Sequence, residues 1–204
     1  MTQTALAPAR RRGRPPSSDA AVTRERILAA AQRVFAESGY EAATFQAIAA
    51  EVGLTRPAIN NYFGSKAELY AEVVGRVGES VLDAVDLAGA MPTLSGQILT
   101  FVREALRDPD ADSPVAAFLV QAAMDAHHVP ASGGQAATLV EGFIRGAVGS
   151  AARRGEVGAD PDGLTDILLG LVWGTAFQLA RGDVRSADRM LEQLCAVLGS
   201  GSER

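Results

Sequence analysis

The chain has 204 residues, 48% of them hydrophobic and 5% aromatic, with a formal net charge of −5; it is long enough for one large domain or a small one fused to a medium one, and apolar enough for a full core. A single cysteine, Cys195, excludes an internal disulfide framework and fits a reducing compartment. Arg10, Arg11, Arg12 and Arg14 precede no apolar signal core, and no run of about 18 apolar residues is free of charges or turn breakers, so a cytoplasmic location away from the membrane is expected.

The acidic total argues against a nucleic-acid partner until charge is followed along the chain. Residues 1–78 carry 10 Lys plus Arg against 7 Asp plus Glu, or +3, whereas residues 79–204 carry 9 against 17, or −8. That asymmetry predicts a front portion that faces nucleic acid, attached to an acidic body. Ala, Leu, Val, Glu and Arg dominate and no alternating β-branched run appears, so the expected fold class is all-α.

In chain order, residues 1–20 hold three of the nine prolines and no apolar periodicity, which predicts a disordered basic arm. Within it, Arg11-Arg12-Gly13-Arg14-Pro15 reads either as a solvated tail or as an arm laying Arg12 and Arg14 in a minor groove, where negative potential is concentrated. Structure is expected from Thr23, a cap for a helix with Ile27, Leu28, Ala31, Val34 and Phe35 inward and Gly39 as its stop. Thr44 caps a short second helix that turns Phe45, Ile48, Ala49 and Val52 inward and halts at Gly53. Thr55 caps a third, with Pro57 tolerated in the first turn, where amide hydrogens lack helical partners, and with Ile59, Tyr62 and Phe63 extending the apolar stripe.

Ser65, with Glu68 three residues on, has the spacing of a capping box and opens a fourth helix through Leu69, Val73, Val77 and Leu82. Five more helices are expected at roughly 93–108, 113–127, 135–154, 161–181 and 186–198. Their punctuation is Ser113-Pro114, Asp160-Pro161 and Ser186 as starts, with Gly155 and Gly182 as stops. The layout is therefore about nine helices: arm 1–20, a first domain over 21–66 and a second over 67–204.

The few residues around Gly53-Leu54-Thr55 force helices two and three into a sharp crossing, the geometry of a helix-turn-helix. With Ile59 and Phe63 inward, Arg56 and Asn60 share an outer face four residues apart. Arg donates two bonds to guanine O6 and N7, and Asn pairs with adenine N6 and N7, so these two are the expected base readers, with Pro57 and Ala58 as apolar contacts to a thymine methyl. Thr44, Asn61, Tyr62 and Lys66, at helix starts and beside the reader's end, are expected to hold phosphates and set register.

These residues resemble the TetR family of regulators. The resemblance runs through residues 23–72: an opening helix ending in FAESGYEAAT, then FQAIAAEVGLTRPAINNYF, then GSKAELY. Gly39-Tyr40, Ile48-Ala49, Gly53, Tyr62-Phe63 and Lys66 with Leu69 fall where that family's pattern has them, while Asn60 stands where many members carry tyrosine. The resemblance implies that the last two helices pair with a second subunit in a four-helix bundle and that helices four to seven enclose an effector cavity. Leu164, Leu168, Leu171, Leu191 and Leu194 are then the expected dimer interface, on helices that also carry Ile167, Val172, Phe177, Met190 and Leu198, surfaces too apolar to leave exposed. Phe101, Phe118, Met124, Phe143 and Trp173 either line that cavity or are plain core, and Asp125, Arg145 and Gln178 are expected as its polar points.

Taken together, the expectation is a ligand-responsive repressor that binds a palindromic operator in double-stranded DNA as a homodimer and is released by a small-molecule effector. The rival is a helical small-molecule-binding protein or enzyme with a relic helix-turn-helix, but no nucleophile-and-base pattern or phosphate-binding glycine loop accompanies it. No cofactor or metal is expected: adjacent His127 and His128 point about 100° apart on a helix and read as helix-end cations. Cys195 reads as inert packing rather than a sensor.

Overall fold

A computed structural model describes residues 17–106, 114–126 and 134–200, which form nine helices and no strand. The all-α reading holds, and most boundaries lie within a few residues of the expected ones. The arm residues Arg12 and Arg14, and His127 and His128, lie outside the described residues, as does the side chain of Cys195.

Helix α1 spans Ser17–Ala42, so residues 17–20, expected in the arm, are helical. Thr23 is accordingly not a cap: its hydroxyl donates to the Asp19 carbonyl at 2.8 Å, one turn back. The segment after Pro16 contains no breaker and is rich in good helix formers, so nothing in it halts the helix before Ser17. At Gly39 the backbone leaves helical geometry (φ 73°, ψ 170°), and the last three residues of α1 continue beyond that kink.

The short α2 (Phe45–Glu51) and α3 (Arg56–Ile59) follow, then the long α4 (Lys66–Gly89). Thr44, Thr55 and Ser65 cap them as expected, accepting the N–H of Ala47, Ala58 and Glu68. The Glu68 carboxylate turns back to the N–H of Gly64, one residue before the cap, a variant of the box. Behind these elements, Ile27, Phe35, Ile48, Ile59, Phe63 and Leu69 form a buried core continuous with the rest of the fold.

Beyond it come α5 (Leu94–Ala105), α6 (Val115–Asp125), α7 (Gln135–Arg153), α8 (Pro161–Ala180) and α9 (Val184–Ser200). Helix α4 packs on α5, α7 and α1, α6 lies along α1 and α8, and α9 closes against α8 and α5. Asp160 caps α8 through the Gly163 N–H, but α9 is started by Asp183, which accepts the Ser186 N–H at 3.0 Å. Asp183 rather than Ser186 therefore carries the cap. A carboxylate suits a helix N-terminus better than a hydroxyl because the exposed amides there are electropositive.

The residues of the expected interface divide between the core and the surface, and Leu171 and Leu194 line an open groove between α8 and α9 with Ile167 and Val197. Leu168 is fully buried and Leu191 is nearly so, both facing their own subunit's core, while Ile167 is 67% exposed, Phe177 48% and Val197 69%. Leu164 and Leu171 are half-buried and Leu194 is 7% exposed. Apolar residues run all round α8, so spacing alone does not reveal which stripe turns inward. It has the length and composition of a membrane span, with 28% of that window buried.

Candidate nucleic-acid interface

The turn between α2 and α3 is set by Gly53 at φ 68°, a left-handed conformation that a side chain disfavours. The Leu54 N–H closes back on the Ala49 carbonyl at 2.9 Å. Thr55 caps α3 at once, and Pro57 sits in its first turn, where no N–H is needed. The helix ends at Ile59, and a tighter turn follows in which Asn61 and Tyr62 bond three residues back and the Phe63 N–H bonds the Ile59 carbonyl at 3.1 Å. Ile59 and Phe63 anchor it with no exposed surface.

This anchoring turns the opposite face outward. Arg56, Pro57, Asn60 and Asn61 are exposed, and Ala58 and Tyr62 are half-buried. Arg56 and Asn60 line a groove of about 790 Å³ together with Thr44, Phe45, Gln46, Ser65 and Lys66. Four α-helical arginines of the same region are engaged inside the subunit. Arg24 pairs with Glu72 and lies over the Phe63 ring, and Arg26 donates to the Val52 carbonyl. Arg33 pairs with Glu51 and Arg76 with Glu25. Among the described residues, the Arg56 and Asn60 side chains are given no such partner, so their donors are available to an outside acceptor.

Lys66 behaves differently from its expected phosphate role. Its ammonium donates to the carbonyls of Tyr40, Glu41 and Ala43 at 2.7, 3.0 and 3.2 Å and sits 4.5 Å from the Tyr40 ring centroid. An ammonium has three N–H donors, and all three are taken. Lys66 is therefore a tie that closes the C-terminal end of α1, where unpaired carbonyls and the helix dipole attract a cation. Thr44 keeps its hydroxyl proton free, since its oxygen only accepts within the cap.

Several expected effector residues are also placed elsewhere. The Asp125 carboxylate accepts the Tyr40 N–H at 2.9 Å and the Gln121 amide at 3.0 Å, fastening the end of α6 to the kink in α1. Met124 and Arg145 face outward, and Gln178 lines a groove of about 570 Å³ between α8 and α9 rather than an interior cavity. Phe101 is core and stacks on Phe143 at 4.4 Å. Phe118 is core too, 5.9 Å from the Tyr70 ring, and Trp173 is half-buried against the core. Tyr70 stands at the centre of an aromatic group with Phe35 and Tyr40. Burial, then the Asp125 charge and Tyr40, push its phenol up to about 12. Among the described residues no cluster of His, Cys, Asp and Glu is arranged to hold a metal.

The sequence reading missed Gln46 and the half-buried Phe45 as groove-lining residues. The available signal was the Thr44 cap, which fixes where the first turn of α2 lies.

Residues 27–73 match the family described as bacterial regulatory proteins, tetR family. Over 59 residues the chain is 42% identical to an HTH-type transcriptional repressor, BepR, of Brucella suis, covering 29% of this chain and 28% of that one. Over 85 residues it is 35% identical to an HTH-type transcriptional activator, FasR, of Mycolicibacterium smegmatis, covering 42% and 39%. The match thus spans well under half the length of these curated relatives. Among solved structures, a TetR-like transcriptional regulator from Rhodococcus sp. RHA1 is similar with TM-score 0.71 and 23% identity, covering 92% of this chain and 98% of that one. The regulator FadR from Bacillus subtilis, in complex with stearoyl-CoA, is similar with TM-score 0.64 and 17% identity, covering 87% and 98%. At those identities the likeness is one of fold.

Proposed function

We propose, from the match of residues 27–73 to the tetR family of bacterial regulatory proteins, that this chain is a TetR-type homodimeric transcriptional repressor that binds a palindromic operator and is released by a small molecule. One observation carries the DNA-binding part: Arg56 and Asn60 project from an anchored helix and the turn after it into an open groove with their donors unused, while neighbouring cations are tied up internally. Arg56 and Asn60 read bases, with Pro57 and Ala58 as apolar contacts, and Thr44, Asn61 and Tyr62 hold phosphates. Lys66 drops out of that set.

Residues 21–66 form the DNA-binding unit in this reading, and 67–204 form the effector and dimer unit. The exposed Ile167, Phe177 and Val197 support a second copy packed on α8 and α9, an apolar surface that water would leave unfavourable. Two subunits then present their readers to successive major grooves, roughly 34 Å apart. A structural neighbour that carries an acyl-CoA supports an effector role for the helical body. The effector must bind the released form more tightly, because equal affinity for both forms shifts nothing.

The test is selection of the full-length protein on random duplex DNA, followed by binding to the enriched sequence at two salt concentrations. Enrichment of a two-fold symmetric site, with affinity falling steeply as salt rises, is the expected result. Recovery of no common sequence refutes the proposal.

A further inference from the structure

We infer that Gln46, on the first turn of α2, reads a base pair directly and extends each half-site beyond the positions read from α3; this rests on the DNA-binding reading above. Thr44 fixes the start of α2 by accepting the Ala47 N–H at 3.1 Å, so Phe45, Gln46 and Ala47 make up its first turn. Phe45 is half-buried against the core, and Ala47 carries no polar side-chain atom. Gln46 is exposed and lines the groove that Arg56 and Asn60 also line. Its amide has no hydrogen-bond partner among the described residues. A two-sided polar group thus stands opposite the two expected readers, on a different helix.

The chemistry favours a base over a phosphate. A glutamine amide offers a donor and an acceptor side by side, which matches the N6 donor and N7 acceptor of adenine in the major groove. A phosphate presents acceptors only, so it uses the NH2 and leaves the amide oxygen facing negative charge. The hydroxyls of Thr44 and Ser65 on the same groove are better suited to phosphate, since each can turn its proton outward. Gln46 comes from a different helix, and the inference assigns it a base pair other than those read by Arg56 and Asn60.

The experiment repeats the random-duplex selection with full-length wild type, Gln46→Ala and Arg56→Ala, then measures affinity for every single-pair variant of the selected site. Alanine at an exposed helical position is a good helix former, and an unchanged melting temperature verifies the fold. Gln46→Ala should lose a preference for an A·T pair on the order of tenfold to a hundredfold at one position per half-site, distinct from the position relaxed in Arg56→Ala. Uniform weakening at all sequences, no change, or loss at the Arg56 position overturns the inference while leaving operator binding intact. If wild type itself enriches no site, the parent reading has failed, and that outcome is visible in the wild-type arm alone.

Discussion

Replacing Gly39 by alanine should destabilise the protein by about 2–4 kcal/mol, and the structure says how that loss divides. At φ 73° and ψ 170°, Gly39 occupies backbone space that is almost exclusively glycine's, so a side chain there costs about 1–3 kcal/mol in strain. The added Cβ also meets the Gln121 amide nitrogen at 2.9 Å, with the Asp125 carboxylate oxygens at 3.3 and 3.5 Å. Gln121 is long and can move aside, but doing so breaks its bond to Asp125, a loss of about 0.5–1.5 kcal/mol. Strain is the larger share. Urea unfolding at fixed protomer concentration measures the total, and for a chain of this size it corresponds to a fall in Tm of about 5–15 °C. In a Gln121→Ala background that bond is already absent, so Gly39→Ala should cost only the strain there, more than half of its cost in the parent. Gly39→Asn should be no better than alanine, because ψ lies far from the left-handed helical region that asparagine tolerates. A cost below about 1 kcal/mol in the parent, or no cost in the Gln121→Ala background, refutes this division.

Three further outcomes follow from the same packing. Ile167→Asp should yield monomers by sedimentation with the subunit still folded, whereas Leu168→Asp should unfold it, since an unpaired charge at that buried position costs about 3–5 kcal/mol; a dimeric Ile167→Asp puts the interface elsewhere. Tyr70→Phe should be neutral or up to about 1 kcal/mol stabilising, because the buried hydroxyl has no partner among the described residues. The folded phenol holds its proton up to about 12 against an ordinary 10.0. Its contribution is therefore full below pH 10 and lost as pH rises towards 12, and the variant should lack that alkaline decline. The Arg154 guanidinium, with the Leu94 N–H at 2.9 Å, holds the Glu156 carboxyl below its ordinary range. That contribution is present above the ordinary carboxylate value and fades as pH drops through the lowered one, so Glu156→Gln should flatten the acid limb of a stability profile; an unchanged limb means that other carboxyls govern it.

Features whose chemistry is local were legible in the sequence. Thr44, Thr55, Ser65 and Asp160 bond to amides three residues on, and Gly53, Gly155 and Gly182 take the positive φ that ends a helix. The Arg56 and Asn60 face followed from the i, i+4 burial of Ile59 and Phe63. What stayed hidden depends on distant backbone. Lys66 meets carbonyls 23 to 26 residues earlier and Asp125 an amide 85 residues earlier, and every residue type carries such backbone groups. A carboxylate on an apolar helix looks alike whether it faces a ligand or a peptide N–H. Likewise the inward stripe of α8 could not be told from its outward one, because both are apolar.

Lys66 is the only lysine in the chain, and its amine is gripped by three carbonyls at the joint between α1 and α4. Amine-selective acylating reagents therefore have one side-chain amine to find, shielded whenever that joint is closed. The rate at which it is modified is a native clock for opening of that joint, readable by mass spectrometry without any substitution or dye.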